Sequence, residues 1–163
     1  KEIEAEFRSV LGKTSVTVYP VVVRSTGSAA GVIWDEQAAK ELASWIEKQG
    51  LARVVIATDQ LNIAAKPGMN QAKMFRSGMT SFGEWVKAHP PNTDYALVAE
   101  YLVWGKGSVG GVHVYVVRKD GEFAYGTLLN SHWKEFKEVK PSSVQDATRV
   151  AIRRLNRDLI EKR

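Results

Sequence analysis

Apolar and polar positions alternate most regularly between residues 93 and 129. Tyr95, Leu97, Ala99, Tyr101 and Val103 share one face of an extended segment, and Ala96, Val98, Glu100, Leu102 and Trp104 share the other. Side chains of a strand point alternately to its two faces, and both faces here are largely apolar, so the pattern predicts a strand at least partly covered on both sides. A glycine-rich turn at residues 105–111 leads into the run Val112 to Val117. The dipeptide Asp120-Gly121, a tight hairpin signal, then precedes a third run from Phe123 to Leu129. The expectation is an antiparallel meander of three strands at the centre of one sheet.

Upstream, the period changes repeatedly. Residues 1–13 are charged and weakly periodic, with Ile3, Phe7, Val10 and Leu11 able to face one way, and read as an N-terminal arm with one or two helical turns. Residues 13–24 are rich in β-branched side chains and predict a strand, where Pro20, which cannot donate to a ladder, marks a bulge, an edge or an end. Asp35 is placed to cap a helix whose apolar positions Ala38, Ala39, Leu42, Trp45 and Ile46 recur at helical spacing, and Gly50 stops it. The short continuous run Val54, Val55, Ile56 that follows predicts a buried strand. Phe75, Met79, Phe82 and Val86 then define a second helix over residues 69–87, with Gly78 and Gly83 inside it and His89, Pro90, Pro91 and Asn92 ending it. Two glycines within a helix point to a close neighbour.

The last segment has the strongest helical pattern. Ser143 and Asp146 resemble a capping box, Val144, Ala147, Ala151, Ile152, Leu155 and Leu159 form the apolar stripe, and Arg149, Arg153 and Arg157 repeat every fourth residue on another face. The sum is an α/β chain of the α+β type. Its sheet is mixed and mainly antiparallel, of about five strands, with about three helices packed on it. The N-terminal arm (residues 1–13) is followed by a single domain (residues 14–163).

At 163 residues the chain suits one domain that buries roughly two-thirds of its unfolded surface without a staple. It contains no cysteine, which removes disulfides, thiolate metal sites and a cysteine nucleophile. It begins at Lys1; a leader, a lipid-bearing cysteine or a membrane tether is expected, if anywhere, upstream of that residue. The net charge of +5 is uneven: residues 118–163 hold 11 Lys/Arg against 7 Asp/Glu, and residues 1–117 hold 12 against 11. That excess permits an anionic partner, although a solvated basic helix face is the simpler account of it.

No constellation of chemical groups emerges. The glycine turn at residues 105–111 has its lysine too early for a phosphate loop and is followed by a strand rather than a helix. His89, His113 and His132 have no second ligand at helical spacing, and Arg76-Ser77-Gly78 lacks the first glycine of a nucleophile elbow. His113 reads as a packed or hydrogen-bonded residue, and His132 as exposed. Glu100, on an apolar strand, would need a partner if buried, and Arg118 on the next strand is the candidate. No catalytic residue, cofactor or metal is expected. The expected partner-binding set is Arg149, Arg153, Arg157, Trp133 and Lys134, basic and aromatic together.

Taken in order, the elements resemble the small α/β domains of bacterial envelope proteins, the N-terminal domain of TolB and the CsgG-like lipoprotein group. The matching residues are Tyr19, Pro20 and Val21 at the end of an early strand, residues 39–50 for the helix ending in glycine, residues 53–57 for the strand after it, and residues 94–98 for a strand of the type Asp-Tyr-Ala-Leu-Val. The resemblance implies a non-enzymatic role through protein contacts in envelope assembly or transport, in the periplasm or at the outer membrane. It carries no catalytic residues over, and the chain holds neither TolB's propeller domain nor a cysteine for a lipid. Two other classes stand beside it. One is a nucleic-acid-binding domain using the C-terminal arginines, with salt-sensitive affinity. The other is a small-molecule enzyme with its site at residues 105–111 or 25–31.

Overall fold

The computed structural model describes residues 1–25, 31–63, 70–104 and 107–162. The meander is present: β5 (Tyr95–Val103), β6 (Val109–Arg118) and β7 (Phe123–Leu129) are antiparallel neighbours. The proline divides the early strand as its chemistry requires, into β1 (Thr14–Val18) and β2 (Val21–Ser25), with Tyr19 and Pro20 between them. These two halves lie end to end along the free side of β5, both parallel to it, with Val16 opposite Tyr95 and Val22 opposite Glu100. Outside them lie two short strands, β4 (Ala52–Ile56), parallel to β1, and β3 (Gly31–Asp35), antiparallel to β2. The seven strands therefore read across the sheet as β7, β6, β5, then β1 and β2 in line, then β4 and β3 in line.

Five α-helices cover the sheet among the described residues. α1 (Glu2–Val10), α2 (Glu36–Lys48) and α5 (Val144–Asn156) lie on one face, where Phe7, Leu42, Ile46 and Leu155 meet Leu97 and Val116 in the main core. α3 (Gln71–Ala88) lies on the other, against β6 and β7, and a second cluster joins its Phe82 and Val86 to Val98 and Tyr115. The short α4 (Lys134–Val139) sits beside α5. The two faces read from β5 are the two cores: Tyr95, Leu97, Ala99 and Tyr101 enter the first, Ala96 and Val98 the second.

The local chemistry explains the helix limits. Asp35 accepts from the Ala38 amide at 2.8 Å, and Gly50 ends α2 with φ +66°. Asn70 caps α3, accepting from Lys73 N at 2.9 Å, and Ser143 caps α5, accepting from Asp146 N at 3.1 Å. The acidic half of the capping box is displaced by one residue, since Asp146 accepts from the amide of Ser142. α3's glycines do admit a neighbour: a Cβ on Gly83 would stand 2.6 Å from the Gly121 carbonyl oxygen, and one on Gly78 would stand 2.5 Å from the Tyr115 hydroxyl.

The mixed, mainly antiparallel sheet with helices packed on it is as expected, and one element within it is corrected. Residues 52–56 do form a strand, but not a buried one: among the described residues β4 pairs only with β1, and it exposes Arg53, Val55 and Ile56. β3 and α4 have no counterpart among the expected elements. Residues 1–13, expected as an arm with one or two helical turns, carry helix α1, and its Phe7 and the following Leu11 belong to the main core.

Candidate functional site

The least finished part of the fold is the edge formed by β4 and β3. Among the described residues, no strand pairs with the outer side of either. Ile33 is 62% exposed, Val55 42% and Ile56 44%, so apolar side chains flank unpaired backbone along both strands. Alternation fixes where they point. Ala52 and Val54 pack on the main core, which puts Val55 on the opposite face.

On that opposite face the sheet is open beside α3. Thr17 of β1 and Tyr19 just after it, with Val55 and the following Ala57, meet Trp85, His89 and the segment Pro90 to Thr93 around a groove of about 340 Å³. The wall is built by the end of α3. The His89 amide donates to the Trp85 carbonyl at 2.9 Å and then two prolines stop the helix. Thr93 and Thr17 share a hydrogen bond of 2.7 Å that ties the turn to β1. Trp85 stacks on the His89 ring at 4.7 Å and meets Tyr19 edge-on at 5.3 Å. Asp59 also lines the groove. Burial, aided by the Asp59 charge, pushes the Tyr19 phenol up to about 12.

Two buried ionisable groups lie on the α3 side of the sheet, beside the second cluster. Glu100 and His113 are 1% and 0% exposed. Glu100 Oε2 accepts from Arg24 Nε at 3.1 Å, while Oε1 lies 3.2 Å from His113 Nδ1 and accepts from the Tyr115 hydroxyl at 3.1 Å. Burial alone would raise the Glu100 carboxyl, but the His113 hydrogen bond and the charges of His113 and Arg24 outweigh it and hold it below the usual carboxylate range. Phe75 closes the cluster from α3, stacked on Tyr115 and edge-on to His113. His113 Nε2 and Gln71 Oε1 are buried without a hydrogen-bond partner among the described residues. The expectation that a buried Glu100 would pair with Arg118 is overturned. Register places Arg118 opposite Tyr95, at the far end of β5, where its guanidinium binds Asp120 and Glu6 instead.

The C-terminal set is assembled differently from a bare basic stripe. Arg153 meets Glu138 at 2.8 Å, Lys134 meets the same carboxylate at 3.8 Å, and Arg157 meets the buried Glu135 at 2.7 Å. Trp133 is 40% exposed and carries the Arg154 guanidinium 4.9 Å over its ring. Arg154 in turn reaches Glu135 at 3.4 Å and Asp158 at 3.1 Å, in the π-helical turn that continues α5. Arg149 stands apart, paired with Asp146 at 3.5 Å. Four of the five residues thus converge on α4 and its two glutamates, and Arg149 does not.

The two loops singled out for an enzyme reading, residues 25–31 and 105–111, lie partly outside the described residues. The described part of the second belongs to the β5–β6 hairpin: Trp104 N donates to Ser108 O at 2.8 Å, and the Trp104 ring rests on Gly110. Sequence reasoning missed the Val55, Trp85 and Asp59 groove, because an apolar run was read as doubly covered. Arg53 inside that run was the available signal, since natural edge strands are commonly marked by a charged side chain.

No family model matches this chain, and no curated protein matches it. Two solved structures are similar in fold. One is the LpoB C-terminal domain from Salmonella enterica, at 17% identity over 73% of this chain and 82% of that one, with a TM-score of 0.42. The other is the LpoB C-terminal domain from Escherichia coli, at 14% identity over 77% of this chain and 92% of that one, with a TM-score of 0.39. These matches do not show the specific resemblance to TolB or CsgG-like domains. At such TM-scores the likeness is coarse.

Proposed function

We propose that this chain is a protein-binding domain of the bacterial cell envelope, acting by contact rather than by catalysis in envelope assembly or transport. The observation that carries the binding reading is the unpaired β4–β3 edge with Ile33, Val55 and Ile56 exposed along it. An open edge presents backbone donors and acceptors to any extended chain, and natural proteins blunt such edges with lysines, prolines or bulges. Here Arg53 is the one cation on either strand. An added strand would gain main-chain hydrogen bonds from the edge and side-chain selection from the groove beside it.

The envelope setting rests on the sequence resemblance of residues 19–21, 39–50, 53–57 and 94–98. The non-catalytic reading is supported by the cluster that most resembles chemistry. Glu100, His113 and Tyr115 are buried and bonded to one another, an arrangement that serves packing. The nucleic-acid alternative gains no support from the C-terminal surface, where Arg149, Arg153 and Arg157 each face a carboxylate.

The test uses the full-length product in its own cells. Fractionation should recover it with the envelope, and native electrophoresis of gently solubilised membranes should show a complex larger than the chain. The double substitution Val55→Lys, Ile56→Lys should dissolve that complex while leaving the protein folded. A cytosolic product, or a complex indifferent to the double substitution, would overturn the reading.

A further inference from the structure

We infer that the groove between β4 and the end of α3 selects an extended partner segment carrying a lysine or arginine, whose charged head meets Asp59 while its stem lies along Val55, Ala57 and Trp85. This rests on the protein-binding reading and gives it a partner chemistry. A strand added outside β4 turns alternate side chains to the Val55 face, over the groove, and the others to the Ile56 face.

What the groove offers those side chains is specific. Its surfaces include the aliphatic Val55 and Ala57, the rings of Tyr19 and Trp85, and the two prolines. Its one carboxylate, Asp59, is exposed and takes part in no ion pair among the described residues. Lysine and arginine match this combination, because their methylene stems cover apolar surface while the head stays at a wet, charged rim. A cation near a tryptophan or tyrosine face gains further attraction from the ring. A glutamate in the same place would face Asp59 and gain nothing from the rings.

The chain's net charge of +5 opposes a basic ligand at long range. At about 0.1 M salt, however, charges more than about 10 Å away are largely screened, so Asp59 decides locally. Arg53, on the same face of β4, is six residues before Asp59 in the chain. At about 3.3 Å per residue it lies roughly 13 Å along the strand from Ala57. A segment basic at one end and neutral or acidic at the other therefore has a preferred direction.

The experiment is an NMR titration of the 15N-labelled chain with two extended peptides, acetyl-Thr-Val-Lys-Val-Thr-amide and the same sequence with glutamate for lysine. The lysine peptide should shift the amides of residues 52–57 and the Trp85 indole, and should bind about three- to tenfold more tightly than the glutamate peptide. Asp59→Asn should remove that preference and Asp59→Lys should reverse it. Because Asp59 is exposed and in no ion pair among the described residues, neither substitution threatens the fold.

Equal binding of both peptides at the β4 edge would overturn the cation rule and leave strand addition standing. Absence of shifts with either peptide would overturn the groove assignment, even where Val55→Lys, Ile56→Lys still dissolves the cellular complex. Shifts that grow with protein concentration alone would assign the groove to a second copy of the chain and overturn the segment proposal. Failure of both experiments would remove the binding reading itself.

Discussion

Glu100 on β5 and Arg24 on β2 are joined by a 3.1 Å ion pair between strands that lie 76 residues apart in sequence. The carboxylate is almost wholly enclosed, and the guanidinium also donates to the Ile63 carbonyl at 2.7 Å, so the pair fastens the segment leaving β4 to the sheet centre. Removing one member of a buried pair strands the other, at a cost of about 3–5 kcal/mol. Glu100→Ala should show a loss of that order in urea unfolding.

The same carboxylate sets a pH dependence. Its pKa is lowered by folding, so its stabilisation is complete above the unfolded value of about 4.3 and is lost as pH falls through the lower folded value. Stability of the native chain should therefore decline on acidification below about pH 5. Glu100→Gln, with no proton to take up, should start less stable at neutral pH and decline less steeply. Denaturation midpoints measured between pH 7 and pH 3 for both proteins check this; parallel curves would contradict it.

Gly83 should resist replacement. Alanine gains about 1 kcal/mol of helix propensity over glycine, but the added Cβ would stand 2.6 Å from the Gly121 carbonyl oxygen. That oxygen belongs to the turn after β6, where Gly121 itself has φ +88° and little room to move. Overpacking of this kind costs about 1–3 kcal/mol, so Gly83→Ala should be destabilising despite the better propensity. A thermal unfolding midpoint above that of the native chain would show that the turn yields.

These particulars show what was legible in the chain. β5, β6 and β7 could be read because alternation and the Asp120-Gly121 turn are local signals, whereas the enclosure of Glu100, 1% exposed, depends on α3 covering that face and stayed open in the strand's own pattern. Its partner could not be read. Arg24 reaches it only because β2 lies parallel to β5, a pairing between distant segments with no trace in either one's pattern. β3 was hidden because Gly31 to Asp35 runs directly into α2 without a turn, and six-residue α4 is shorter than any periodicity can register. The arginine repeat was legible as a stripe, but Arg154, the member that does most for the fold, lies off it.

That distinction is measurable. Arg154 bridges two buried carboxylates, Glu135 and Asp158, and packs on Trp133, whereas Arg149 is exposed and pairs with a partly exposed aspartate. Arg154→Ala should destabilise by about 3 kcal/mol, tempered by the remaining Arg157 and Lys162 partners. Arg149→Ala should stay within about 0.5 kcal/mol of the native chain. Equal effects in chemical denaturation would mean that the α4–α5 ion pairs do not hold that corner together.

The central claim is that the β4–β3 edge is where a partner binds. A photocrosslinking amino acid placed singly at Ile33, Val55 and, as a control on the outer face of α2, Ser44 tests it in the full-length product in its own cells. All three positions accept a larger side chain, since Ile33 and Val55 are exposed on the edge and Ser44 is exposed on the helix. The account predicts discrete envelope adducts from positions 33 and 55 and none from 44. Adducts from position 44 alone, or none from either edge position, would contradict it.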